Sequence, residues 1–164
     1  MMIDPREIEK YYGRGIVVDT NILLLLVVGG VRRSLVSEYQ RTQIYDESDY
    51  DILHRLLSKF NRVITTAHII TETSNLLGKL SGKNYARAQS VLGEFMLRSN
   101  ESAATNTEIA GQDSMLEVGV TDCAIELVSR DLVILTEDYT LAGRLNKLGR
   151  NVMNFNHLRT IQWL

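Results

Sequence analysis

The sequence has 164 residues, a formal net charge of −2, 45% hydrophobic residues and 23% charged residues. This composition is typical of one globular domain and excludes a disordered or collagen-like chain. The single cysteine, Cys123, excludes an internal disulfide and a multi-cysteine metal site, so we expect a cytoplasmic protein. We expect one domain over residues 1–164, in which about the first 14 residues form an N-terminal extension.

The apolar run from Ile16 to Val31 is expected to be buried core rather than a membrane span. Its apolar stretches are shorter than the roughly 20 residues that a bilayer requires, and Asp19 interrupts them. Acidic residues at Asp4, Glu7 and Glu9 occupy the place of the basic start of a signal peptide. Neither a membrane span nor a signal peptide is therefore expected.

The first half of the chain predicts two strands and three helices. A β-branched run predicts a buried parallel strand at 15–19, and Leu23–Val28 predicts a buried helix that ends at Gly29 and Gly30. The acidic cluster at 46–51 is expected to lie at the start of an amphipathic helix. A second strand is predicted at 62–66. The helix after it, at 68–80, carries Glu72 near its buried side.

The second half of the chain predicts further helices and two more strands. Helices are predicted at 83–98 and 107–118, from Thr121 and Asp122 onward, and at 139–148 before Gly149. The strands are predicted at 132–136 and 151–155. Because strands and helices alternate, we predict a three-layer α/β/α fold with a central, mostly parallel sheet of four to five strands.

Four carboxylates are expected to meet at one edge of this sheet. Asp19 directly follows the first strand, Asp138 follows the third within two residues, and Glu72 lies on the helix that leaves the second. Asp122, in the first turn of the helix before the third strand, can reach the same edge. Four such acids repel one another unless Mg²⁺ or Mn²⁺ lies between them, and this arrangement is typical of hydrolytic phosphoryl transfer.

The segments that carry these acids together resemble a PIN domain. The resemblance covers nearly the whole chain and rests on four segments, 17–23, 66–77, 119–124 and 133–138. It implies a Mg²⁺- or Mn²⁺-dependent endoribonuclease that hydrolyses RNA phosphodiester bonds. Such domains occur as VapC-like toxins of toxin–antitoxin pairs, so the resemblance also implies a cognate antitoxin protein and a homodimer.

The resemblance also assigns roles to individual residues. The acidic metal positions of the family match Asp19, Glu72, Asp122 and Asp138. Thr20 and Asn21 match the polar residues after the first acid, and Asn21 is expected to orient Asp19 or a metal-bound water. Thr136 matches a hydroxyl residue that supports the site. Glu137 is an alternative ligand to Asp138.

Several other side chains carry alternative interpretations. Arg144, Lys147 and Arg150 follow Asp138 on or just after one helix and are candidates for binding RNA phosphates, or else form a solvated face. His68 lies one helical turn before Glu72, where it either packs or binds metal. Candidate dimer surfaces are the apolar stripe 88–96 and the tail 161–164. Asp113 and Glu117 are expected at the surface, and Cys123 is expected to be a buried structural thiol.

Two other functions remain open at this stage. A catalytically inactive domain of the same type would bind RNA or protein as a scaffold while keeping the acids. An aspartyl-phosphate phosphotransferase would require a second aspartate soon after the nucleophile, where this chain has Asn21.

Overall fold

The computed structural model describes residues 1–161, so most of the tail considered as a dimer surface lies outside the described residues. Its centre is a sheet of five parallel strands in the order β3-β2-β1-β4-β5. The strands are β1 (Gly15–Val18), β2 (Arg62–Thr65), β3 (Asn100–Glu101), β4 (Val133–Thr136) and β5 (Asn151–Asn154).

Helices flank this sheet, which confirms the predicted α/β class and the three-layer arrangement. A 3₁₀ helix spans Pro5–Tyr11, and the α-helices are α1 (Thr20–Val31), α2 (Leu35–Glu38), α3 (Glu47–Lys59), α4 (Ala67–Leu77), α5 (Gly82–Arg98), α6 (Asn106–Ala110), α7 (Met115–Val128), α8 (Tyr139–Lys147) and α9 (Phe155–Thr160). The predicted acidic helix start is confirmed, since Asp46 and Asp49 form a reciprocal cap at the beginning of α3.

The central strands are buried on both faces. Every residue of β1 and of β4 is buried, as expected for parallel strands covered by helices on two sides. Val17 lies beside Ile64 of β2 on one side and Ile134 of β4 on the other. The strand order reverses direction between β1 and β4, and a crevice forms outside the carboxyl ends of strands at such a switch point. The fold therefore places this crevice beside Asp19.

The prediction that the first helix ends at Gly29 and Gly30 is wrong. Helix α1 continues through both glycines to Val31. A Cβ atom on Gly29 would collide with the ring of Tyr50, and one on Gly30 would lie 2.9 Å from Val91 Cγ1. The glycines therefore let α3 and α5 pack closely against α1 and do not end the helix.

The single helix predicted at 107–118 is also wrong. Helix α6 ends at Ala110, and α7 begins at Met115. Within α7, Gly119 has φ 82° and ψ −179°, a backbone conformation that is essentially restricted to glycine. Gly119 therefore divides α7 into two helical segments, and the second of them carries Asp122.

The short edge strand β3 was not predicted. Its two residues are exposed and polar, and they pair with Ile64 and Thr65 of β2. A strand of two exposed residues has no apolar alternation, so the sequence holds no signal for it.

The N-terminal residues pack against the opposite edge of the sheet. The Ile3 N–H donates to the Val152 carbonyl oxygen at 2.8 Å, and both Ile3 and Ile8 are buried. In the part of the chain that is described, no helix has the length and apolarity needed to cross a bilayer.

Candidate active site

A small polar cavity lies at the carboxyl ends of β1 and β4. Its volume is about 300 Å³. All four acids predicted from the sequence line it, together with Thr20 and Asn21 from α1 and residues 118–121 from the middle of α7. The structure thus brings together Asp19, Glu72, Asp122 and Asp138 from α1, α4, α7 and α8 and the loops before them.

Asp19 is the most buried and most firmly held of these acids, with only 5% of its surface exposed. As the N-cap of α1, it accepts a hydrogen bond from the Thr20 N–H to Oδ1 at 2.6 Å. Its Oδ2 accepts a second bond from Thr136 Oγ1 at 2.7 Å. Burial raises the pKa of Asp19 to about 6, the two hydrogen bonds oppose that rise, and the charges of Asp138 and Glu72 add to it.

Thr136 links two of the acids. Its hydroxyl donates to Asp19 and accepts a bond from the Asp138 N–H at 3.0 Å. Asp138 in turn caps α8, because its Oδ1 accepts bonds from the Thr140 and Leu141 N–H groups at 2.6 and 3.1 Å. Since Thr136 is fully buried, this chain of bonds holds the ends of β1 and β4 in one arrangement.

Glu72 is exposed, so the prediction that it lies near the buried side of its helix is wrong. Helix α4 turns Ile69, Thr73 and Leu77 into the core, at a spacing of four residues, and this leaves Glu72 on a different side. The Glu72 side chain faces the cavity, where its Oε2 accepts a hydrogen bond from Thr20 Oγ1 at 3.1 Å.

Both Asp19 and Asp122 have raised pKa values, and that of Asp122 is the higher. Burial and then the charges of Asp19, Asp138 and Glu72 raise the pKa of Asp122 to about 7. The Asp122 carboxyl holds its proton to a higher pH because burial disfavours its charge and ionisation would add to the repulsion among the acids. The acids therefore interact electrostatically as one group, and a cation would relieve that repulsion.

A divalent cation fits this cavity by the chemistry of its donors. Carboxylate and hydroxyl oxygens are the ligands that Mg²⁺ and Mn²⁺ prefer. Within residues 1–161, no three His, Cys, Asp or Glu side chains are already grouped so as to hold a single ion. The exposed side chain of Glu72 has room to adjust, whereas Asp19 and Asp138 are each held by two hydrogen bonds.

The basic residues considered as phosphate ligands do not line the cavity. Arg144 instead pairs with Glu126 at 2.9 Å and with Glu117 at 2.7 Å. Lys147 is exposed, and Arg150 is partly buried. The role of these three side chains in binding RNA remains a prediction.

The other candidate residues also have definite positions. Glu137, the alternative to Asp138, does not line the cavity, and His68 lines a neighbouring groove. Cys123 is fully buried and contacts the Ile109 carbonyl oxygen at 3.8 Å, which confirms the prediction of a buried thiol. Asp113 and Glu117 are exposed as predicted.

Thr121 and the backbone around Gly119 are cavity-lining features that the sequence did not identify. Thr121 was predicted only to begin a helix. The available signal was its hydroxyl directly beside Asp122, which parallels Thr20 beside Asp19. Gly119 gave no signal, because its unusual backbone angles become visible only in the structure.

The fold and the cavity define a parallel α/β protein with a carboxylate-lined site at the switch point of its sheet. In comparisons with known proteins, the chain matches no protein-family model and no curated protein.

Proposed function

We propose that this protein is a Mg²⁺- or Mn²⁺-dependent endoribonuclease of the PIN type that hydrolyses RNA phosphodiester bonds. The observation that carries the proposal is the presence of Asp19, Glu72, Asp122 and Asp138 around one small polar cavity. When bound, the divalent ion supplies charge neutralisation at the scissile phosphate and a lower pKa for the attacking water.

The side chains of this chain have separate tasks in the proposed reaction. Asp19 would be a metal ligand, and the Thr20 N–H and the Thr136 hydroxyl orient its two oxygens. Asp138, whose Oδ1 caps the N-terminus of α8, would help to hold the ion. Thr136 is a positioning residue, because it bonds to both of these acids and does not line the cavity.

Glu72 and Asp122 supply the other two carboxyl groups of the site. Glu72, oriented by Thr20, and Asp122 both line the cavity. Because cation binding favours ionised carboxylates, we expect it to lower the raised pKa of Asp122 and to release protons. Asn21 is exposed and lines the cavity, so it is placed to bind a phosphate oxygen or water.

The test compares wild type with Asp19→Asn on structured and single-stranded RNAs in Mg²⁺, Mn²⁺ or chelator. We expect metal-dependent cleavage by wild type, none by Asp19→Asn, and full cleavage by Asp113→Asn, an exposed aspartate outside the cavity. Metal at 100 times its Kd should stabilise wild type by about 2.7 kcal/mol and Asp19→Asn by much less. Cleavage that persists in pure Asp19→Asn would remove the assignment.

A catalytically inactive RNA- or protein-binding domain is the second candidate. Such a domain would keep the four acids around the cavity without turning over RNA. RNA binding without turnover in Mn²⁺, together with no stabilisation by metal, would support this candidate over the nuclease.

The resemblance extends the proposal to the biological setting. We propose that the protein acts in the cytoplasm as a homodimeric toxin, neutralised by a cognate antitoxin protein. The buried, unpaired Cys123 is compatible with a reducing compartment. Growth arrest upon expression of wild type, and its absence with Asp19→Asn, would support the toxin role, and light scattering would measure the oligomeric state.

A further inference from the structure

A row of hydrogen bonds reaches the candidate active site from the start of helix α9. It begins at Asn154, the last residue of β5, which is fully buried and lies beside Thr136 of β4 in the sheet. The side-chain amide of Asn154 donates to the Glu137 carbonyl oxygen at 3.5 Å, and that of Asn156 donates to the same oxygen at 3.4 Å. Because a carbonyl oxygen has two lone pairs, both amides can hold it.

Thr136 holds the other end of the same peptide group. The Glu137 carbonyl and the Asp138 N–H belong to one planar unit, and this N–H donates to Thr136 Oγ1 at 3.0 Å. The Thr136 hydroxyl in turn donates to Asp19 Oδ2 at 2.7 Å. Hydrogen bonds in such a row polarise and strengthen one another. The row therefore connects the two asparagine amides with Asp138 and with Asp19.

Further bonds determine which way each asparagine amide points. Asn154 Oδ1 accepts a bond from the Asn156 N–H at 2.9 Å, so its NH₂ group is left to face Glu137. Asn156 Oδ1 accepts a bond from Arg159 Nη1 at 3.2 Å, which leaves its NH₂ group for the same carbonyl. Arg159 is itself anchored outside α9, because it pairs with the buried Asp49 of α3 at 2.8 Å. Partners of their own thus orient both donors.

We propose that Asn154 and Asn156 are positioning residues, which hold the peptide before Asp138 so that this acid stays in place to bind a divalent cation. The proposal rests on the proposed nuclease function and extends the support of its acids to two residues that do not line the cavity. Partners behind a metal ligand orient it, and their loss typically weakens metal binding by about 10- to 100-fold.

The test replaces each amide donor by an oxygen while keeping the shape of the side chain. Asn154→Asp retains the oxygen that caps α9, and Asn156→Asp retains the one that bonds to Arg159. Both variants lose the donor to the Glu137 carbonyl. The matched control is Asn146→Asp, the same chemical change at an exposed position of α8 outside the cavity.

The first measurement follows amide hydrogen exchange by NMR in the metal-free protein at pH 7. The exchange rate of the Asp138 amide is divided by that of the Val17 amide in the buried strand β1, so that a general loss of stability does not count. We expect this ratio to rise about tenfold in Asn154→Asp and Asn156→Asp and to keep its wild-type value in Asn146→Asp. An unchanged ratio in either of the first two variants would overturn the assignment of that residue.

The second measurement is the affinity for Mn²⁺ alone, titrated by electron paramagnetic resonance. A new carboxylate beside the Glu137 carbonyl would tighten cation binding by its charge, whereas a loss of positioning weakens it. We expect Mn²⁺ to bind about tenfold more weakly to Asn154→Asp and Asn156→Asp, and no more weakly to Asn146→Asp than to wild type.

The two measurements together separate this proposal from the proposed function. Affinity for Mn²⁺ in Asn154→Asp or Asn156→Asp that equals or exceeds that of wild type would overturn the positioning role of that residue. Faster exchange of the Asp138 amide in both variants, combined with no binding of Mn²⁺ by wild type, would retain the two asparagines as the support of Asp138 and refute only the nuclease.

Discussion

Replacement of Asp19 by asparagine is expected to stabilise the metal-free protein while abolishing its activity. The carboxylate is buried, and its pKa is raised from 3.8 to about 6, so the folded protein disfavours its charge. Asparagine has nearly the same shape and carries no charge. The substitution removes this buried charge, so the folded state of the metal-free protein should become more stable even though a group needed for the proposed reaction is lost.

The expected gain in stability of Asp19→Asn follows from the raised pKa of Asp19. At pH 8 the ionised Asp19 costs the folded state about 3 kcal/mol relative to the unfolded chain. The substitution also replaces one acceptor oxygen by an amide donor facing Thr136, which we expect to cost about 1 kcal/mol. The variant should thus be more stable by about 2 kcal/mol at pH 8, equivalent to about 6 °C in Tm.

The stability difference between wild type and Asp19→Asn is expected to depend on pH. Because the pKa of Asp19 is raised in the folded state, wild type binds the proton more tightly when folded and loses stability as pH rises from 3.8 to about 6. The raised pKa of Asp122, about 7, extends this loss toward neutral pH. Near pH 4 wild-type Asp19 is protonated, so the advantage of Asp19→Asn should vanish.

Urea denaturation with chelator at pH 4, 6 and 8 measures these differences. Asp113→Asn is the control, because the same chemical change at an exposed aspartate should leave the free energy of unfolding within about 0.5 kcal/mol of wild type. The reasoning is refuted if Asp19→Asn is less stable than wild type at pH 8, or if the difference between them is the same at every pH.

Four further substitutions test the packing and the backbone by urea denaturation. Thr136→Val should lose about 1–3 kcal/mol and raise the pKa of Asp19 further, so stability should continue to fall to a higher pH than in wild type. Gly119→Ala should lose about 1–3 kcal/mol through backbone strain alone, since the added Cβ meets open space. Gly29→Ala should lose about 1–3 kcal/mol through overpacking. Gly93→Ala, an uncrowded helical position, should instead gain about 0.5–1 kcal/mol, and a loss there would contradict both glycine arguments.

The central strands and the position of the acids were predictable from sequence because local signals and topology agree there. The apolar run before Asp19 and the one before Asp138 each indicate a strand buried on both faces. Parallel strands end at a common edge, so acids that follow them are neighbours in space. The prediction of a shared site needed no further information about side-chain packing.

The features that were missed depend on contacts between distant residues. Gly29 is helical because Tyr50 packs against it, although glycine next to glycine usually indicates a helix end. Strand β3 exists because β2 provides a partner, and its own residues are polar. Glu72 is exposed because the other sides of α4 supply the core contacts.

Helix α1 has a consequence for what happens when this protein unfolds. Its residues Ile22–Val28 form seven consecutive uncharged aliphatic side chains, six of them buried and Leu26 partly so. Exposed in an unfolded chain, such a window is strongly prone to intermolecular β-aggregation. The native packing of α1 therefore protects solubility as well as the position of Asp19, and variants that unfold in the absence of denaturant should aggregate more readily than wild type.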